Sequence, residues 1–382
     1  MTSASSERPA WTVPAACGLV ALVVSLAAGL VVMQPKDMRP SALVRMTVQD
    51  PIATKAIEAD SDFVLYASDH YDGIYFWAIA QDPVLTNEEH RLIDLPGARY
   101  GHPMFSWVAL LLSFGKASTV PLGMFLLNLI SMGVAGGSAS LIARRMGLSP
   151  WAGLVVALNP GLIYAVTVST SEAFGTMVLL LSILAWMDKK WALAGICMVV
   201  LCLAKEPYVL VPIALGSWEV VARRRYGGSA IRPPLTPLLW GPIALLLWQL
   251  YLRSQLGYWA FTDPLEVFAF PLRGWLETMR MAVDAGDAGD FAFSQIGAAT
   301  IPIDLAVFVA LTVGVVVARK VRGPVDLMYL GFAALHYCLT WRNLLYAKDL
   351  IRQFSTVFVL LPVVLSAARW PGIQELRRTP NP

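Results

Sequence analysis

The strongest constraint on the fold is a series of apolar runs separated by charge. They fall at residues 11–33, 120–143, 151–168, 173–187, 191–204, 208–221, 238–252, 300–318, 325–340 and 354–367 of a 382-residue chain. A helix needs roughly 20 apolar residues to cross the ~30 Å of hydrocarbon in a bilayer. The pattern therefore predicts an all-α polytopic membrane protein with about ten transmembrane helices. Several runs are shorter than that ideal, so they extend into flanking residues or are broken beside a cavity. Composition agrees, with 57% hydrophobic and 14% charged residues and a mean hydropathy of +0.60, far from a soluble domain. A formal charge of +3 gives no electrostatic support for a nucleic-acid partner. Cys17, Cys197, Cys202 and Cys338 all lie inside apolar runs and read as small buried hydrophobes, not as a disulfide frame or metal site.

Charge placement sets the orientation. An eleventh apolar stretch, 104–114, has about half the spanning length and is flanked by Gly101, His102, Pro103, Gly115 and Lys116. It reads as interfacial or re-entrant. If it does not cross and the N-terminus is cytoplasmic, every basic cluster falls on the cytoplasmic side. These are Arg144 with Arg145, Lys189 with Lys190, Arg223 to Arg225, Arg319 with Lys320 and Arg322, and Arg377 with Arg378. That arrangement satisfies the positive-inside rule, whereas a crossing at 104–114 would put the four internal clusters outside. Both termini are thus expected in the cytoplasm. The first run, preceded by Arg8, is longer than an ordinary signal region and reads as an uncleaved anchor. Residues 227–237, with Pro233, Pro234 and Pro237, read as a cytoplasmic linker. The expectation is a single membrane domain over 1–382. A first extracytoplasmic loop at 34–119 carries interfacial helices, and a second loop spans 253–299.

The external face then collects the polar groups that carry chemistry. In the first loop, Asp60, Asp62, Asp69 and Asp72 stand near His70, Tyr71, Tyr75, Phe76 and Trp77. A carboxylate there acts as a general base or helps to hold a divalent cation, and aromatic rings beside it offer a sugar platform. The plain alternative is a solvated loop with an Asp72-Gly73 turn. A helix starting near Gly73 would carry Phe76, Ile79 and Ala80 on one face, lie along the interface and place Asp72 at its N-terminus. The turn Thr170-Ser171-Glu172 serves either a site or helix capping. Lys205-Glu206-Pro207 reads as an adjacent ion pair between two helices or as charges facing a wet cavity. Arg342 and Arg352 add cations to this face. Arg352 is suited to bidentate phosphate binding, its alternative being a pair with Asp349 three residues earlier. His336, with no second histidine at helical spacing, reads as hydrogen-bonded inside the bundle.

These residues resemble the GT-C superfamily of polytopic glycosyltransferases, most closely bacterial mannosyltransferase-like members and more distantly the GPI mannosyltransferase group. The resemblance rests on the N-terminal anchor and on Asp69-His70-Tyr71-Asp72-Gly73 with Tyr75, Ile79, Ala80, Asp82 and Pro83. It continues through His102-Pro103, Gly147-Leu148-Ser149-Pro150-Trp151, Asn159-Pro160, Thr170-Ser171-Glu172 and Lys205-Glu206. It covers residues 60–210, and the C-terminal half only as a general pattern of spans. It implies a bacterial inner-membrane enzyme of the cell envelope that transfers a sugar, mannose or a similar one, from a polyprenyl-phosphate donor to a lipid, glycan or protein acceptor. Asp72 or Asp69 would be the catalytic base. Substrate binding would fall to His70, Tyr71, Tyr75, Glu172, Lys205, Glu206, Arg342 and Arg352. Some members carry two adjacent acidic residues or a metal-binding set. Here His70 and Tyr71 separate the carboxylates, which leaves metal dependence open. A multi-span transporter or lipid flippase is the alternative from another class, and a non-catalytic envelope scaffold is a third.

Overall fold

The computed structural model describes residues 11–226, 233–263, 267–287, 291–366 and 370, and its regular structure is helical. Among the described residues, β-pairing is confined to two isolated bridges, Thr47 with Tyr66 and Phe268 with Leu339. The chain begins with α1 (Thr12–Met33). The first loop follows, carrying α2 (Ala53–Ala59), α3 (Gly73–Gln81), α4 (Pro96–Tyr100) and α5 (Met104–Leu112). Next come α6 (Val120–Arg145), α7 (Leu154–Ala157), α8 (Pro160–Thr167), α9 (Glu172–Met187), α10 (Trp191–Ala204), α11 (Leu210–Tyr226) and α12 (Thr236–Leu256). The last third holds α13 (Arg273–Asp287), α14 (Phe291–Ala318), α15 (Pro324–Tyr337), α16 (Trp341–Leu344), α17 (Ala347–Gln353) and α18 (Ser355–Leu365). The expected linker at 227–237 lies outside the described residues except for its last part, and Arg377 and Arg378 lie wholly outside them.

Three described helices are long and apolar enough to cross a membrane, at Thr12–Lys36, Ala117–Arg145 and Thr300–Ala318. The pair Pro150–Ala157 and Pro160–Thr167, bent by 44°, makes a fourth if it counts as one broken span. Glu172–Met187, Trp191–Ala204 and Ser355–Leu365 are apolar but shorter. Outward faces are greasy. Leu305, Val309, Val313 and Val316 recur at successive turns of α14 and are all exposed, as are Leu239, Ile243, Leu246 and Leu250 on α12. Continuous exposed apolar surface of this kind suits contact with lipid. Inside, α1 and α6 approach closely through small residues. A Cβ on Gly18 would lie 2.6 Å from the Gly133 carbonyl oxygen, and one on Gly136 would lie 2.8 Å from that of Cys17. Close backbone approach over small residues is how helices associate where burial against lipid gives no hydrophobic gain.

The break between α7 and α8 is a cap. The Asn159 side chain accepts from the backbone N–H groups of Gly161 and Leu162 at 3.1 and 3.2 Å. Its amide donates to the Ser355 carbonyl at 2.8 Å, which ties the half-helix to α18. Pro160 at the first position fits a helix start, since the missing N–H would have had no partner there. Gly161 lets α8 touch α17, because a Cβ at that position would sit 2.0 Å from the Ile351 carbonyl oxygen. Gly161→Ala is expected to destabilise the protein by about 1–3 kcal/mol through overpacking against backbone that cannot yield. Thermal unfolding in detergent micelles measures this, and an unchanged midpoint would show that α17 moves freely.

One expectation needs correction. The helix at Gly73 forms, but it does not lie half-exposed along an interface, for every residue from Gly73 to Ala80 is buried. Its aromatic residues engage neighbours on several sides. Trp77 meets Phe63 edge-on at 5.5 Å and Phe76 meets Phe105 at 5.2 Å, while Ile79 joins a separate core with Tyr100 and Trp248. A helix apolar all round is enclosed rather than laid on a surface. The first loop is therefore a folded cap with its own interior.

Candidate functional site

Backbone crowding at the start of α3 positions the site. A Cβ on Gly73 would lie 2.6 Å from the Val168 carbonyl oxygen and 2.7 Å from that of Val44, so three segments meet where only glycine fits. Asp72 precedes it at the N-cap position, yet its side chain makes no capping bond. The carboxylate turns instead to two guanidinium groups. Arg352 Nη2 lies 2.8 Å from one oxygen, and Arg99 Nη1 lies 3.4 Å from the other. Arg352 also reaches Glu172 at 3.4 Å. The Lys205 ammonium lies 3.1 Å from the same Glu172 oxygen and 3.5 Å from the side-chain oxygen of Gln353. Five elements, at α3, α4, α9, the end of α10 and α17, thus contribute to one charged cluster.

Burial within it is graded. The side chains of Glu172 and Arg352 are 5% and 8% exposed, whereas that of Asp72 is 31% exposed. Asp72 is therefore the carboxylate that an incoming group meets. Burial alone would raise its pKa, but Arg352 and then Arg99 hold it below the ordinary aspartate range. Asp349 behaves oppositely, since burial lifts it further than Arg352 and the Tyr71 hydroxyl bring it down. Tyr71 donates its hydroxyl to Asp349. Its ring has Arg352 and Lys348 each 5.0 Å from the centroid and Tyr164 edge-on at 5.5 Å.

Local geometry revises two expected pairings. Lys205 and Glu206 do not pair with each other, because Lys205 is extended, with φ −167° and ψ 130°, and side chains alternate direction along extended backbone. Lys205 turns to Glu172, while Glu206 meets His102 at 3.3 Å. The His102 imidazole holds Glu206 below its usual range even though burial opposes this. Arg352 bonds Asp72 and Glu172, and Asp349 takes the tyrosine instead. In the 169–172 turn, Ser171 makes no side-chain capping bond. Ser169 sits in the left-handed region at φ 51°, a conformation that is uncommon for a residue with a Cβ and is found at sharp turns.

The remaining predicted residues fall into three places. His70 bridges Asp50 at 2.8 Å and the Tyr75 hydroxyl at 3.1 Å, and the Tyr75 ring lies 3.6 Å from the Arg99 guanidinium carbon. These two therefore support the cluster from the first-loop side. Asp69 bonds Arg45 outside it, while Asp60 accepts from the Asp62 backbone at 3.0 Å and Asp62 pairs with Arg39 at 2.7 Å, as in ordinary loops. Arg342 lies on α16 with its guanidinium 5.6 Å from the Trp341 ring centre. His336 has its two ring nitrogens 2.6 and 3.0 Å from the Phe332 and Gln353 carbonyls, which is a role within the bundle. Among the described residues, no three of His, Cys, Asp and Glu gather to hold a metal ion. Asp72 and Glu172 flank a guanidinium rather than forming the oxygen-rich set that a divalent cation requires.

Sequence reasoning missed Arg99 and Tyr164. Arg99 carried one weak signal, a cation beside Tyr100 in a loop that also holds Asp82, Glu88, Glu89 and Asp94. Tyr164 is hidden inside an apolar run.

An apolar groove of about 720 Å³ opens between α7–α8 and α17–α18, lined by Trp151, Leu158, Pro160, Ile351, Phe358 and Leu365. Ile351, which lines the groove, is followed on α17 by Arg352, which belongs to the charged cluster. Comparison of the chain with protein-family models, with curated proteins and with solved structures finds no match in any of the three.

Proposed function

We propose that the chain is an integral-membrane glycosyltransferase that moves a sugar from a polyprenyl-phosphate donor to an acceptor hydroxyl at the extracytoplasmic face. The observation that carries this reading is that Ile351, which lines the apolar groove, is followed on α17 by Arg352 of the charged cluster. A lipid-linked phosphate has that same division, a long apolar tail joined to a compact anion. Each buried methylene of the tail contributes about 0.8 kcal/mol, so the groove supplies affinity and the cations supply placement. Arg352 and Lys205 take the donor phosphate, and Asp72 faces it from the first loop. The acceptor oxygen bonds to the anomeric carbon while the bond from that carbon to the phosphate oxygen breaks. Its electron pair leaves on the polyprenyl phosphate, and the hydroxyl proton passes to Asp72. The cations stabilise charge developing on the leaving group, and holding both substrates in line removes the entropy of their meeting.

The finer topology belongs to the same proposal. It comprises about ten spans, basic clusters on the cytoplasmic side, both termini in the cytoplasm and a bacterial inner membrane as location. Mannose is the expected sugar on the resemblance of the first loop. The lipid-flippase reading has one observation in its favour, the broken helix at Asn159-Pro160, since discontinuous helices line many transport paths. Transfer of radiolabelled sugar from a panel of polyprenyl-phosphate donors by purified protein in liposomes tests the reading. The expected result is transfer that requires both donor and acceptor. Movement of lipid across sealed vesicles without any transfer would establish transport, and neither activity would leave a scaffold.

A further inference from the structure

We propose that Arg99 recognises an anionic group on the acceptor, so that the acceptor is a hydroxyl-bearing molecule with a phosphate or carboxylate close to the reacting oxygen. This inference rests on the glycosyltransferase reading. Asp72 is held between two arginines from opposite sides, Arg352 on α17 beside the groove and Arg99 on α4 within the first loop. The donor phosphate accounts for the first. The second faces the side from which an acceptor must come.

Arg99 is firmly placed but weakly bonded. Its guanidinium carbon lies 3.6 Å from the Tyr75 ring centre. Tyr75 is fixed through its hydroxyl to His70, and His70 to Asp50. The helix that carries Arg99 is anchored on both sides of it in sequence. The Ala98 N–H donates to Asp263 at 2.9 Å, and the Trp248 indole donates to the Tyr100 carbonyl at 2.7 Å. Yet the contacts of Arg99 to carboxylates are long, at 3.4 Å to Asp72 and at 3.4 and 3.5 Å to Asp94. A charge-assisted N–H to oxygen bond normally measures about 2.7–2.9 Å, the value that Arg352 achieves with Asp72 at 2.8 Å. A guanidinium clamped in position with no full-strength carboxylate bond is prepared for another anion. Binding that anion draws Arg99 from Asp72 and frees a carboxylate oxygen for the acceptor proton.

The test compares octyl glycosides that are identical except for one phosphate or carboxylate group, together with methyl glycosides bearing the same groups. Transfer is measured with one polyprenyl-phosphate donor for wild type, Arg99→Ala and Arg99→Gln. Wild type is expected to favour the charged acceptor by about 10- to 100-fold in kcat/KM, the worth of a hydrogen bond to a charged group. In Arg99→Ala that preference should vanish through a raised acceptor KM, with the donor KM unchanged. Should Arg99→Ala fail to fold, Arg99→Gln, which keeps a polar side chain without the charge, gives the same comparison. Preference confined to the octyl series identifies a lipid headgroup, and preference in both series a free glycan; either supports the proposal. Equal use of charged and neutral acceptors, or a preference that survives loss of Arg99, overturns it while leaving the transferase standing. Absence of transfer to any acceptor overturns both.

Discussion

Asp72→Asn is expected to lower sugar transfer about 10³-fold while the protein still folds and still binds donor, because the amide keeps the shape of the carboxylate and loses only its basicity. Removing one negative charge beside Arg352 and Arg99 should leave the donor KM unchanged or reduced, which separates loss of a base from loss of a binding site. Burial works against the charged form of Asp72, and Arg352 and Arg99 overcome it. The acid limb of kcat/KM should therefore fall below the ordinary aspartate value of about 4. The same shift fixes the sign of a stability effect. A carboxylate with a lowered folded-state pKa stabilises the fold above its unfolded value, and that contribution fades as pH drops through the folded value. The melting difference between wild type and Asp72→Asn should thus be complete at neutral pH and shrink below about pH 4. Full activity in Asp72→Asn would remove Asp72 from the mechanism and send attention to Asp69, despite its bond to Arg45.

Arg352→Met should cause the largest loss of stability of any single change at the site. Arg352 is the shared partner of Asp72 and Glu172 and is itself 8% exposed. Removing one member of a buried ion pair destabilises by about 3–5 kcal/mol because a charge is left uncompensated. The low end applies here, since Lys205 still serves Glu172 and Asp72 remains open to water. Glu172→Gln added to Arg352→Met should not cost the sum of the two single changes, since the Arg352–Glu172 contact is already lost, and the coupling should be about 0.5–3 kcal/mol. Chemical or thermal unfolding of the four proteins in micelles measures that coupling. Strict additivity would mean that Arg352 and Glu172 do not interact, contrary to their 3.4 Å separation.

Much of the site was legible because its residues break an apolar pattern. Asp72, Glu172, Lys205 and Arg352 are polar groups next to greasy runs, and the fold brings them together. The pairings were not legible, because backbone direction decides them. The extended backbone at Lys205 splits it from Glu206, and helix α17 presents Arg352 to the first loop rather than back to Asp349. Arg99 escaped notice because a lone arginine in a mixed-charge loop looks like a solvated one until Tyr75 is placed beneath it. The helical fold followed from the apolar runs. The enclosed α3 did not, since amphipathic spacing of Phe76, Ile79 and Ala80 says nothing of what covers Tyr75 and Trp77 on the other sides.

The bond from Tyr71 to Asp349 spans 278 residues of sequence. At about 5–20 residues per second, ribosomes need roughly 15 to 55 seconds to make the partner after the tyrosine has emerged. The buried helix α3 does not wait so long, because Phe63, Tyr100 and Phe105, which pack against it, belong to the same stretch of sequence. The first loop can therefore close its own interior early, while the charged site, which needs Asp349 and Arg352, is among the last parts of the molecule to be completed.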